Sequence, residues 1–340
     1  MKKALLFLFL PLVLASCGTT APSENPENTV SQTSNEKLLV TASIIPLASV
    51  INTIGGDAVE VNTIVPAGVS PHGFDLSAKQ MVTIEDSQRI FLVWLEHIDG
   101  FLESASDAQK QIHLADGIEL LEASEHEDHD THGDEHTDEH DIHEDEHEQH
   151  DDGHTDEHDE HEDEHGGDIH NADPHVWLGK DNIIVIAQKI RDELSLLLPE
   201  QSAMFEENTQ TFIADLEKLY SDFETQTSGK TAKEFIVFHD AYNYLMQSVG
   251  MDMNLKVPFS QNVLHEAGTA HMVELIEEIE LHGITHVFRE PQFSDGILQK
   301  FVDEYSLTLE TLDPLGRDAS ANGYLDNIQS NLTALSNIYE

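Results

Sequence analysis

The chain has 340 residues, a hydrophobic share of 39% and a formal net charge of −50, with 16 Lys and Arg against 66 Asp and Glu. That length accommodates two domains with extra segments, and the modest apolar share implies a large polar stretch diluting real cores. The charge argues against nucleic acid and disfavours anionic membrane surfaces as partners, since both are bound through clustered cations. Divalent cations are the natural complement, and the 22 unevenly spread His are the second anomaly.

Met1-Lys2-Lys3 is a short positive start, and Ala4 to Leu14 is an apolar run interrupted only by Pro11. The run has the length of a signal peptide and falls short of the about 20 apolar residues that span a bilayer. Leu14-Ala15-Ser16-Cys17 then resembles the bacterial lipoprotein cleavage box. The expected product starts at a lipidated Cys17 and is anchored to the membrane by that lipid, without spanning it. Cys17 is the one cysteine, so an intrachain disulfide and a thiolate-rich zinc site are both excluded. Residues 18–36, rich in Ser, Thr, Pro, Asn and Glu, read as a flexible tether.

Alternating strand and helix signals begin at Leu38. Strands are expected over Leu38–Ser43, Val59–Val65 and Ile90–Trp94, with a helix over Ala48–Ile54. From Glu125 to Asp168 there is no Lys or Arg, and 23 Asp and Glu alternate with His. Such a segment cannot bury enough apolar surface to offset its ordering entropy and reads as a disordered insertion over 125–170. Helices are expected over Ile183–Leu198 and from Pro199 to Thr227, where Phe205, Phe212, Leu216, Leu219 and Phe223 recur at helical spacing. A second alternation follows: strands Phe235–Phe238, Met253–Val257, Thr285–Phe288 and Leu307–Leu312, and helices Tyr242–Val249, Met272–Leu281 and Tyr324–Ile338. The expected fold is α/β: two lobes, 37–180 and 230–340, each a small mostly parallel sheet flanked by helices, joined by long, rigid linking helices over 181–229.

Four stretches place a metal-ligand side chain in a loop beside a strand or before a helix. They are Val65-Pro66-Ala67-Gly68-Val69-Ser70-Pro71-His72, Asp173-Pro174-His175-Val176-Trp177-Leu178, Phe238-His239-Asp240-Ala241-Tyr242 and Leu312-Asp313-Pro314-Leu315-Gly316. The prolines before His72 lower the entropy cost of holding its imidazole in place. His239 and Asp313 lie past strand ends, where open α/β sheets bind ligands. Two ligands per lobe would put a metal in the cleft between them.

These stretches, in this order, together with Arg289-Glu290-Pro291-Gln292-Phe293, resemble the metal-specific solute-binding proteins of bacterial ABC importers, most of all the zinc-binding branch. The resemblance covers about residues 37–340. It implies that His72, His175 and His239 bind Zn2+ as transported cargo, with Asp313 matching a carboxylate that serves as the fourth ligand in some members. Others use water or an acidic residue just before the first His, and here that residue is Pro71. Manganese-binding relatives typically carry Glu where this chain has His239; imidazole suits zinc, and manganese prefers oxygen. The partners implied are a permease and its ATPase subunit. The chain would act as a monomer on the outer side of a bacterial cell membrane. A manganese or iron importer component of the same family is the alternative cargo reading.

In the insertion, His126, His129, His132, His136, His140, His143, His147, His150, His154, His158, His161 and His165 stand three or four residues apart. They are candidates for weak secondary zinc sites. As a helix they would form one stripe; as the product of repeat expansion they would need no helix. Circular dichroism during zinc titration separates these readings. His265, Glu266 and His271 have the wrong spacing for a metalloprotease. A zinc hydrolase would need three ligands and an open water position, but no general base or substrate pocket is legible, so the chain reads as a binding protein and not as an enzyme.

Overall fold

The computed structural model describes residues 37–93, 106–123, 172–260 and 268–340. Cys17, the tether, the His-rich insertion, Trp94, His97, His265 and Glu266 lie outside those residues. In the first half, β1 (Leu38–Ala42), α1 (Ile45–Gly55), β2 (Val59–Thr63), α2 (Ala78–Asp86), β3 (Arg89–Leu92) and β4 (Gln111–His113) build one sheet. Its order is β2-β1-β3-β4 and every pairing is parallel, with Leu38 opposite Val59 and Val40 opposite Arg89. Next come α3 (Lys180–Leu197), a 3-10 turn at Pro199–Gln201 and α4 (Ser202–Thr227). The second half holds β5 (Phe235–Val237), α5 (Asn243–Ser248), β6 (Lys256–Pro258), α6 (Thr269–His282), β7 (His286–Arg289), α7 (Gly296–Tyr305), β8 (Thr308–Thr311) and α8 (Gly323–Ser336). Its sheet repeats the first: order β6-β5-β7-β8, all parallel. Among the described residues no helix is long and apolar enough to cross a membrane.

The inner strands β1, β3, β5 and β7 are apolar and largely buried, as the centre of a parallel sheet requires, while the edge strands are mostly half-buried. In β5, Phe235 and Val237 join the large core while Ile236 points to a smaller one beneath α6 and α7 with Leu275, Phe301 and Val302. The large core runs without a break from Val40 and Phe91 of the first sheet, through Phe205, Phe212 and Leu216 of α4, to Phe235 and Phe288 of the second. At 26 residues α4 is about 39 Å long. It packs against α1, α3 and α8. Direct stitches add to this link: Ser49 Oγ donates to Ser320 O and accepts from Tyr324 N, both at 2.8 Å, and Asn52 Nδ2 donates to Ala319 O at 2.8 Å.

The expected strand at Met253–Val257 is displaced: Met253–Leu255 forms a 3-10 turn, and pairing begins at Lys256. The cause is local, because the Asp252 side chain accepts from Asn254 N and caps that turn. Helix α1 starts earlier than the apolar run suggests because Pro46 sits in its first turn. Three elements escaped the sequence reading: α2, α7 and the three-residue β4. Signals for the first two exist. Ser77 and Gln80 form a capping box, and Leu298, Phe301, Val302 and Tyr305 follow helical spacing.

Candidate metal centre

Each ligand-bearing loop leaves the carboxyl end of a strand or enters a helix. His72 lies beyond β2, in a loop tied down where Gln80 Nε2 donates to Ile64 O at 2.6 Å. It is followed by Gly73 at φ 70°, a backbone state that costs glycine little. His175 precedes the buried turn Val176–Leu178. Trp177 Nε1 donates to Pro314 O at 2.7 Å and Tyr324 Oη donates to Trp177 O at 2.6 Å, clamping that turn to the second half. His239 follows β5, and its neighbour Asp240 pairs with Lys256.

These loops bring His72, His175 and His239 together, with one ligand atom of each within 4.8 Å of the others. His175 and His239 are only 4% and 7% exposed. His175 Nδ1 meets Asp173 Oδ1 at 2.7 Å and His239 Nδ1 meets Glu290 Oε1 at 2.6 Å. Asp173 is itself held by Asn243 Nδ2 at 3.0 Å, and Tyr244 Oη donates to its carbonyl at 2.9 Å. A carboxylate only accepts, so each Nδ1 carries the proton and each Nε2 lone pair is turned inward. The two Nε2 atoms stand 3.3 Å apart. A tetrahedral zinc with Zn–N bonds of about 2.0–2.1 Å places its nitrogens about 3.3 Å apart. Two lone pairs at that separation call for a shared cation.

Burial opposes charge on His239, but the charge and hydrogen bond of Glu290, with Asp240 and Asp173 behind, more than offset it and raise the imidazole above its ordinary 6.5. Burial, with the charges of Glu290 and Asp313, holds the Tyr242 phenol well above its usual value. Tyr242 therefore stays a donor, to Leu312 O at 3.0 Å.

The fourth expected residue, Asp313, is not drawn into the imidazole group. It is 8% exposed. Its Oδ1 accepts from Gln292 Nε2 at 2.6 Å, Leu315 N at 3.1 Å and Gly316 N at 2.9 Å, shaping its own loop. The cavity beside the three His, about 10 Å³, is also lined by Glu290, Gln292, Phe293, Pro314 and Leu315. Asp173, Glu290 and Gln292 carry no role in the sequence reading. Asp173 was findable two residues before a ligand His, whereas Glu290 reaches His239 across 51 positions. Elsewhere, His282 lies between the half-buried Glu234 and Glu278, with Nδ1 2.7 Å from Glu234 Oε1 and Nε2 3.4 Å from Glu278 Oε2, and His271 Nε2 contacts Pro258 O at 3.0 Å.

Two parallel α/β halves bridged by a long helix, with an imidazole-lined cavity at their strand ends, define the class: a two-lobed solute-binding protein. The family described as zinc-uptake complex component A periplasmic matches residues 40–338. The high-affinity zinc uptake system protein ZnuA of Haemophilus influenzae is 31% identical over 306 residues, covering 86% of this chain and 90% of that protein. The zinc-binding lipoprotein AdcA of Streptococcus pneumoniae is 26% identical over 311 residues, covering 88% of this chain but 55% of AdcA, so the chain spans about half the length of that relative. A crystal structure of ZnuA has the same fold, with a TM-score of 0.68 at 23% identity over 89% of this chain and 99% of that one. The chain belongs to the zinc-uptake complex component A periplasmic family.

Proposed function

We propose that this protein captures Zn2+ outside the cytoplasm on His72, His175 and His239 and hands it to the permease of an ABC importer driven by an ATPase subunit. One observation carries the reading: two buried imidazoles, each oriented by its own carboxylate, face each other at 3.3 Å beside a third. Zinc is the cargo, and the chain acts as a monomeric receptor without catalysis. Three nitrogens favour zinc over manganese, which prefers oxygen ligands. Residues 37–180 and 230–340 serve as the two lobes and 181–229 as their link. Cys17 carries the lipid that keeps the receptor at the membrane. The twelve His from His126 to His165 hold further zinc weakly.

Chelator-competition titration of the whole protein tests the reading. One tight zinc site is expected, lost in His239→Ala and His175→Ala, with manganese bound far more weakly. Deleting residues 125–168 should remove the weak sites and keep the tight one. Unchanged zinc affinity in both His variants would end the proposal.

A further inference from the structure

Helix α6 closes on Glu277, Glu278, Ile279, Glu280, Leu281 and His282, and His282 is the one basic residue of its last turn. Three carboxylates thus stand where the free helix carbonyls already gather negative partial charge, an arrangement that runs against the helix dipole. Glu278 and His282 are one turn apart and share a face of the helix. Glu234, the residue before β5, meets them from the sheet, its side chain 24% exposed. His282 Nδ1 lies 2.7 Å from Glu234 Oε1, and Nε2 lies 3.4 Å from Glu278 Oε2. One ligand atom from each of the three residues lies within 4.8 Å of the other two. A neutral imidazole donates once, so one of its two carboxylate contacts sets lone pair against lone pair until a cation joins it. Lysine and arginine do not supply the missing charge. Among the described residues neither glutamate has one in ion-pair contact, and the adjacent Lys233 is turned to Glu340, with Nζ 3.2 Å from Oε2.

We propose that Glu234, Glu278 and His282 form a second cation site, for a divalent ion of the zinc class, at the amino end of β5. Imidazole and carboxylate are both zinc ligands, and the exposed side of the group leaves further positions to water. The strand β5 runs between Glu234 and His239, so this site lies at the opposite end of the strand from the three imidazoles and stands independently of them. One nitrogen and two anionic oxygens, half open to solvent, hold an ion more loosely than the buried cleft does. A bound ion here staples the last turn of α6 to the start of β5 and offsets the charge crowded at the helix end.

Hydrogen exchange of the whole protein, read by mass spectrometry with and without zinc, tests the site, because an ion joining α6 to β5 must slow the opening of that helix end. Zinc should slow exchange around His282 in the parent and in His239→Ala, and should lose that effect in His282→Ala and in Glu278→Ala. In these last two variants the segment around His175 should keep its zinc-dependent slowing, which shows them folded and loaded in the cleft. The His-rich insertion is present in every protein compared, so it cannot produce a difference confined to two of them. Slowing around His282 that is absent from the parent, or that persists in both His282→Ala and Glu278→Ala, overturns the proposal. Slowing that vanishes in His239→Ala would be relayed from the three imidazoles and overturns it as well.

Discussion

An imidazole gives a metal one nitrogen, and the duty of the other decides how good a ligand it is. Here His239 and His175 each commit Nδ1 to a buried carboxylate, Glu290 and Asp173. Glu290→Gln keeps an acceptor and loses the charge, so zinc affinity should fall about 10–100-fold. The same charge raises the His239 pKa above 6.5. A raised pKa means more proton to displace at a given pH, so affinity should begin falling above pH 6.5 as the solution is acidified. In Glu290→Gln that fall should start at lower pH; titrations between pH 8 and 5.5 check both, and an unshifted profile would show that Glu290 does not set it. The three His were legible because prolines and strand ends flank them. Glu290 and Gln292 were visible only as part of a family-like run, because what they touch lies far away in sequence: 51 positions for Glu290 and 21 for Gln292.

Among the elements, α4 was the most readable, since its apolar residues from Phe205 to Phe223 keep helical spacing over about five turns. What they press against could not be read, because that depends on how the sheets stack. Phe212 is 1% exposed and packs its ring on Tyr324 of α8 with centroids 5.9 Å apart. Phe212→Ala should cost about 3–5 kcal/mol of stability in denaturant unfolding; a cost below about 1 kcal/mol would mean that α4 does not pin the second half. The strands show the opposite balance. At three to five residues they carry too few positions for period to mark their ends, so Lys256–Pro258 was misplaced and β4 missed.

At the scale of the molecule, two repeats of one sheet order were foreseeable as two α/β units, but their shared core was not. Because apolar packing runs unbroken through α4, the metal-free protein should unfold in one transition, with fluorescence and circular dichroism curves coincident. Two separated transitions would show halves of independent stability. The sharing of that core bears on how the proposed receptor would announce its cargo. Molecules that fold around a ligand broadcast occupancy as a change in outline. With the halves stitched by Ser49, Asn52 and α4, there is little outline to change, and X-ray scattering of empty and zinc-loaded protein should superimpose. What changes is the local field: the Asp173 and Glu290 carboxylates beneath the site are matched by a dication when it is full and left in excess when it is empty. A docking partner would then tell a loaded receptor from an empty one by its electrostatics rather than by its silhouette.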